Sequence, residues 1–459
     1  VVGAETLLMQ FSEALDPVFA LNSAHYAVNG QVPSLVTVFE AYPDVVLLSF
    51  PRAQLDVWRV HGRVQLSHGP LPLEGNNTGA LPAQELTLEA PVIAASALRI
   101  QEVMPNPREH HPLPLSEYVE VYNTSSSWLY LEEIVLASSR RETSAPAILV
   151  APESHYLLVP RARLADFDGF GPRLGLTNWP TFLVGGDAVR LYAGGIMVDE
   201  LVYPGTIWRD ADAVGSGRSI ELVDLSYPCA SFENIRLSED PRGGTPGEAN
   251  SVAQLGAMET LPFQLEHWEL IGAQEVLLRF NQWPDEATGT PQLAGNAELL
   301  PWERGEEPFT LRIQLPQPVL PGMPKRLLLE SLVSCSGTPL ADAYHSLELF
   351  LPEEIAVGDV LISELMFDPE AGCPPFIELK NTSNKFLDLA GLGLATASSS
   401  GERGNTRLLV EQFFLFSPGG LLVFTPDAEG LCRCHPDAQP AAVLEAVLPS
   451  FSRSGDVYM

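Results

Sequence analysis

Two pairs of glutamates carry the residue type and repetition that acid–base chemistry would need. Glu102 and Glu120 recur as Glu364 and Glu378, inside the strings IQEVMPNP, SEYVEVYNTS and their later versions ISELMFDP, PFIELKNTS. Paired carboxylates can act as general acid and base on a bond held between them. The histidines between the first pair, His110 and His111, have no counterpart between the second, however, and both pairs sit at the same place in a duplicated stretch. A structural role on a sheet is therefore the simpler expectation.

Other groups invite metal chemistry and then fall short of it. His110 and His111 lie in a proline-rich loop that the second version lacks, which favours a solvated loop. Asp166, Asp168 and Gly169 in ADFDGFG form half of a calcium loop, without the further alternate acidic ligands and closing glutamate that calcium needs. Cys432, Cys434 and His435 in CRCHP offer zinc-type donors, but the only other thiol nearby is Cys373. A disulfide or free thiol is the ordinary alternative, and with Cys229 and Cys335 the pairing of the five is left open. Calcium remains a minor alternative; no catalytic, cofactor-binding or metal-binding residue is assigned. Neither a nucleophile elbow, a zinc-protease helix motif nor a phosphate-binding glycine loop occurs.

The elements that position these side chains are strands. Tyr118, Glu120 and Tyr122 alternate with Val119 and Val121, as an extended strand requires. Over Ile100 to Pro105 the alternation is imperfect. Pro105 and Pro107 cannot donate to a ladder and end that strand, while Asn123, Thr124 and Ser125 close the next with side chains that bond local backbone. Further strands are expected at 35–39, 44–50, 57–66, 155–160, 188–192 and 197–203. Turns are expected at Gly75–Thr78 and Gly185–Asp187. GGTPGEANSV, residues 243–252, suits a tight turn at positive φ followed by a linker.

A second repeat interleaves with the first. LIGAQEVLLRF at 270–280 matches VVGAETLLMQF at 1–11, Gly272 falling on Gly3 (272 − 3 = 269), whereas Ile362 falls on Ile100 (362 − 100 = 262). Pro418 falls on Pro152 and Asp456 on Asp187. Unequal offsets signal loop insertions around a shared core. The expectation is an all-β chain of four tandem immunoglobulin-like β-sandwiches ordered A-B-A-B: 1–96, 97–252, 257–357 and 358–459. The first reads as lacking its opening strand. The last stops at GDVYM without counterparts of Trp208 or GGTPG, so both ends read as cut, and a sheet ending there would bare an edge. Each sandwich is expected to close its own interior and leave no cleft for reaction chemistry.

Composition narrows the function classes. With 26 basic and 58 acidic side chains, the net charge of −32 repels phosphate backbones, and no basic patch occurs. There is no run of roughly 18 apolar residues to span a membrane. Lysine occurs only at Lys325, Lys380 and Lys385, which fits a salt-rich habitat or a GC-rich genome equally. Asn76, Asn123 and Asn381 match the glycosylation pattern, which matters only in a host that glycosylates. Core packing is the default expectation for most of Trp58, Trp128, Trp179, Trp208, Trp268, Trp283 and Trp302.

The series EVM-x-NP, EYVEVYN-x-S, Leu129 and Leu131, Trp208, GRSIELVD and GGTPGEANSV resembles the lamin-tail domain, over 97–252 and in part over 358–459. Residues 1–96 and 257–357 look like the bacterial immunoglobulin-like domains that often precede it. This resemblance implies a bacterial secreted or surface-attached protein whose modules serve as spacers or contact surfaces, and it supplies no catalytic residues. Nuclear lamin tails contact chromatin and proteins, but the acidity here departs from DNA binding. The expected function is a non-enzymatic stalk or protein-interaction segment, extracellular or at the cell surface, with other proteins as partners, in an outer-membrane or surface assembly. The alternatives are accessory modules of a larger exported hydrolase or nuclease, and a glycan-binding surface.

Overall fold

The computed structural model describes residues 5–12, 14–54, 63–68, 84–87, 97–109, 112–208, 217–285, 289–295, 299–397, 404–450 and 456–459. Gly3, Trp58, the 75–78 turn, His110 and His111 lie outside them, as does the 57–62 part of the expected 57–66 strand. The chain is all-β with a few short helices, and it divides into two compact units, Val1–Leu261 and Pro262–Met459.

In the first unit, Thr6–Gln10, Tyr42–Ser49 and Leu35–Phe39 form one sheet, and Tyr26–Val28, Arg63–His68 and Gln84–Thr87 another. Leu7, Tyr26, Val36, Val46, Leu48 and Phe50 share a core. Beyond them lies a six-stranded sheet ordered Arg173–Leu176, His155–Pro160, Tyr118–Asn123, Leu98–Met104, Ile220–Leu222, Ile235–Leu237. It packs over a common core with a four-stranded sheet ordered Glu142–Ala145, Ile134–Ala137, Gly186–Ala193, Ile196–Pro204. Val103, Val119 and Val121 from one sheet meet Leu136, Val189, Leu191 and Leu201 from the other. The outer face of the six-stranded sheet is buried too. Met104, Tyr118, Leu157 and Val159 pack there under Phe167 of the short helix Arg161–Phe167.

The second unit repeats the plan with fewer strands. Leu265–Ile271, Glu275–Phe280, Thr310–Gln314 and Trp302–Arg304 form a sheet over a core that includes Phe263, Val276, Leu278 and Leu311. The later four-stranded sheet is ordered Val360–Met366, Phe376–Asn381, Leu421–Thr425, Val443–Glu445. Ile377, Leu379, Leu387, Leu394 and Phe424 fill the core beneath it.

Both later sheets contain a parallel pair, which two adjacent strands can make only through a crossover. The crossovers are Arg161–Phe167, between His155–Pro160 and Arg173–Leu176, and the helix Ala428–Cys434, between Leu421–Thr425 and Val443–Glu445. These helices were not expected. Asp427 caps the second by accepting from Gly430 N–H at 2.8 Å. Among the described residues, no helix is long and apolar enough to cross a membrane.

Candidate functional site

The glutamates occupy a ladder whose register explains the broken alternation. Leu98–Met104 pairs antiparallel with Tyr118–Asn123, and the register slips between Ile100 and Glu102. That bulge takes Gln101 out of the ladder and sets Glu102 opposite Glu120. On the other side of the same strand, Ile220–Leu222 sets Glu221 opposite Glu102. Three carboxyl groups therefore stand in a row on three adjacent strands, all fully buried. Like charges placed so would repel, and burial alone disfavours ionisation.

Donors from residues 245–252, joined by Tyr118, Ser219 and Gln101, hold the row in place. Glu102 Oε1 accepts from the Tyr118 hydroxyl at 2.7 Å, the Ser219 hydroxyl at 2.5 Å and Thr245 N–H at 2.8 Å. Glu221 accepts from the Thr245 hydroxyl at 3.1 Å, the Ser251 hydroxyl at 2.8 Å and Val252 N–H at 3.2 Å. Glu120 accepts from Gly247 N–H and the Gln101 amide, with His155 Nδ1 3.1 Å away. Asn250 Nδ2 bridges to the carbonyls of Gln101, at 2.9 Å, and Leu222, at 2.8 Å. Residues 243–252 are thus a cover bonded to every glutamate. The expected turn is present, with Gly243 and Gly247 at φ 91° and 81°. A Cβ at Gly244 would stand 2.4 Å from Tyr118 Oη and 2.8 Å from Glu102 Oε1, so the cover fits only with glycine there.

Burial pushes the Glu102 carboxyl up to about 8, with the charges of Glu120 and Glu221 adding to the effect and Ser219 and Tyr118 opposing it. Glu120 is also raised by burial, against the pull of His155, Gly247 and Gln101. Sealed carboxyls whose oxygens already serve buried donors are a structural lock; no substrate can approach them.

The second copy keeps the ladder without the cover. Val360–Met366 pairs with Phe376–Asn381 with the slip between Ile362 and Glu364, and Glu364 faces Glu378. Ser363, at the place of Gln101, donates to Glu378 Oε1 at 2.6 Å. Here the row ends: Glu364 is exposed and Glu378 half-buried. Among the described residues, no strand pairs with the other edge of Val360–Met366. Leu361 stands at the place of Arg99. Arg99 is buried and ion-paired to Asp199 at 3.1 Å, whereas Leu361 is 49% exposed.

Two further features are shared. Asn123 and Asn381 are both fully buried. Asn123 Nδ2 donates to the carbonyls of Ser127 and Ala151, both at 2.8 Å, and Asn381 Nδ2 to those of Lys385 at 2.9 Å and Ser417 at 3.0 Å. Each Oδ1 accepts from the hydroxyl two residues on, Ser125 or Ser383, at 2.7 Å. These amides are latches, committed to the fold and closed to glycosylation; Asn76 lies outside the described residues. Five residues beyond each Asn comes an aromatic ring, Trp128 or Phe386, that packs against the preceding β region of its unit. Trp128 meets Tyr42 edge-on at 4.9 Å, beside Val45, Leu47 and Leu149, and Tyr42 Oη accepts from Ala151 N–H at 3.2 Å. Phe386 stacks on Phe350 at 3.7 Å, and its carbonyl accepts from Glu353 N–H at 2.8 Å. Trp128 packs against a small core at this junction; its correspondence with Phe386 was the available signal.

The remaining candidates resolve separately. Asp166 pairs with Arg163 at 2.8 Å and Asp168 with Arg173, so the half-loop's carboxylates already have cations. Cys434 is bonded to Cys373, removing one thiolate from the zinc set, and Cys432 is a free thiol. Trp208 and Trp283 are buried; Trp179, Trp268 and Trp302 are half-buried. The second unit has a cleft of about 460 Å³. His267, Glu269, Arg279, Glu307, Arg312 and Phe413 line it, and Trp268 stands 5.7 Å from Phe413 at its margin. Its arginines face glutamates, Arg312 Nε lying 3.2 Å from Glu275 and Arg279 3.7 Å from Glu307, while Glu269, Glu306 and Glu411 leave the lining with an excess of acid.

No family model and no curated protein matches the chain. Among solved structures, a DUF4876 family protein from Bacteroides thetaiotaomicron is similar over 47% of this chain and 85% of its own, at 12% identity and a TM-score of 0.20. The S-layer protein SbsC is similar over 92% of this chain and 62% of its own, at 8% identity and a TM-score of 0.17. A BSP domain of a biofilm-associated protein is similar over 91% and 86%, at 11% identity and a TM-score of 0.15. At scores this low, no property of these proteins passes to this one.

Proposed function

We propose that the chain is a non-enzymatic segment of an exported bacterial cell-surface protein, built of β-sandwich modules in A-B-A-B order that hold spacing and present contact surfaces. On this reading the lamin-tail-like modules are 97–252 and 358–459. The observation that carries it is the repeated docking ring. Trp128 and Phe386 fasten each later β region to the one before it, at the same place relative to the Asn latch. A catalytic assembly has no need of that device, but a chain that must keep its length under load does. The sealing of the repeated glutamate pair in the first copy removes the strongest acid–base candidate. The Cys373–Cys434 disulfide suits an oxidising compartment, and the acidic surface opposes nucleic-acid binding.

Scattering and limited proteolysis on the full chain and on a Trp128→Ala, Phe386→Ala double variant test this reading. The intact chain should resist cleavage near residues 97 and 357, and the variant should be cut there while its strand content is retained. Equal susceptibility of the two proteins would overturn the load-bearing role.

A further inference from the structure

The docking junction is built twice, and only one copy is sealed. In the first unit Leu8, Val45 and Leu47 on the sheet pack with Tyr130 and Leu149 beside Trp128, and Val45, Leu47 and Leu149 are buried. Across that ladder Leu8 faces Leu47 and Gln10 faces Val45. In the second unit Leu277 faces Arg312 and Arg279 faces Thr310 in the same register. Asp388, paired with Leu415, stands where Tyr130 pairs with Leu149. Val45 and Leu47 have thus become Thr310 and Arg312, and the cleft of about 460 Å³ opens over them. Small-molecule sites span roughly 300–1,000 Å³. Among the described residues, nothing after Leu149 joins the first cluster, so the repeat brings no later segment to this face.

We propose that this cleft binds a neutral sugar. Its floor mixes charges of both signs, with Glu269, Arg279 and Arg312 beside His267 and Thr310. The two arginines repel a cation, and the exposed rim carboxylates of Glu306 and Glu411 repel an anion. Burial and the Arg279 charge hold His267 below its usual range, so at neutral pH its ring adds no charge and can both donate and accept. Although Arg279 and Arg312 are ion-paired, neither Nε makes a hydrogen bond among the described residues. Charge alone holds the forks, which keeps donors for a ligand. A hydroxyl group serves such a floor, since it accepts from an arginine, donates to Glu269 and brings no charge to desolvate. Phe413 on the wall, 5.7 Å from Trp268, offers an aromatic face to the C–H side of a sugar ring. A peptide strand is disfavoured, because Glu275–Phe280 and Thr310–Gln314 are both interior strands of their sheet and have no edge to pair with it. The proposal adds a ligand to the contact-surface role and does not rest on the docking rings.

The test titrates cellobiose, maltose, lactose and diacetylchitobiose into the full chain by ligand-observed NMR, with lysine and glutamate as charged controls. At least one disaccharide should bind saturably with a Kd below about 1 mM, more tightly than either control, and should slow hydrogen exchange in 275–280 and 310–314. A Thr310→Val, Arg312→Leu double variant, which installs the first unit's own residues, should abolish binding. Phe413→Ala and Glu269→Gln should each weaken it about ten-fold; both sites are half-buried, so these two carry the comparison if the double variant fails to fold. Failure of all four sugars to bind overturns the proposal. So does tighter binding of lysine or glutamate, or sugar binding indifferent to every variant. None of these outcomes depends on Trp128 or Phe386, so the docking role stands or falls by its own experiment.

Discussion

Leu98–Met104 with Tyr118–Asn123, and Val360–Met366 with Phe376–Asn381, are one strand pair built twice, with the same bulge and the same Asn latch. One is an interior and the other a surface. The difference comes from what lies on the strands, since both pairs face their glutamates across the ladder in the same way. In the first, Tyr118, Ser219, Thr245 and Gly247 provide donors and the carboxyls are sealed. In the second, Phe376 stands where Tyr118 does and the glutamates meet solvent. A buried charge-bearing row is therefore a property of its cover, which must supply a donor for each oxygen it removes from water.

The harshest way to break the comparison is to spoil the cover. Gly244→Val places a side chain against Tyr118 Oη and Glu102 Oε1 and should cost the first unit about 3 kcal/mol, leaving the second unit's transition in place. Denaturant titration with a probe in each unit reads this, and an unmoved first transition would mean that the cover is loose. Next come the features the copies share. Asn123→Ala and Asn381→Ala each orphan buried carbonyls and should cost about 2 kcal/mol in their own unit; unequal costs would show that the latches differ in role.

Per pH unit, the smallest effect is the pH dependence. Burial raises Glu102 to about 8 from 4.5, so below pH 4.5 it is neutral in folded and unfolded chains alike. Between those values the unfolded chain ionises first, and the first unit should lose about 1 kcal/mol per pH unit as pH rises, levelling off above about 8. Glu102→Gln should flatten that slope. Thermal melts of both proteins across the range give the answer.

Much of this architecture was legible in the residues. The alternation through Tyr118–Tyr122, the Asn-Thr-Ser strand ends and the duplicated order around Glu102 and Glu364 all mark strands, because period-two patterning and turn chemistry are local. Even the imperfect alternation at Ile100–Pro105 was a signal, since a bulge shifts side chains to the opposite face at one residue. What stayed hidden depends on distant partners. GGTPGEANSV carries its turn in its glycines, but its role as a cover depends on three glutamates more than twenty residues away along the chain or further. Arg99 meets Asp199 only in the folded unit, and the helix Ala428–Cys434, short and bearing a disulfide, has no hydrophobic period to announce it. Asp187 and Asp456 also differ in the bonds they make. Asp187 holds the N–H groups of Ser139, Leu183 and Ala188, whereas Asp456 accepts from the Tyr458 hydroxyl.

Hydrogen exchange on the intact chain, resolved to the two equivalent strands, tests the central claim most directly. Amides of Leu98–Met104 should exchange only through unfolding of the first unit. Along Val360–Met366, the amides pointing away from Phe376–Asn381 should exchange at rates close to those of open chain. Equal, strong protection of both strands would contradict the account.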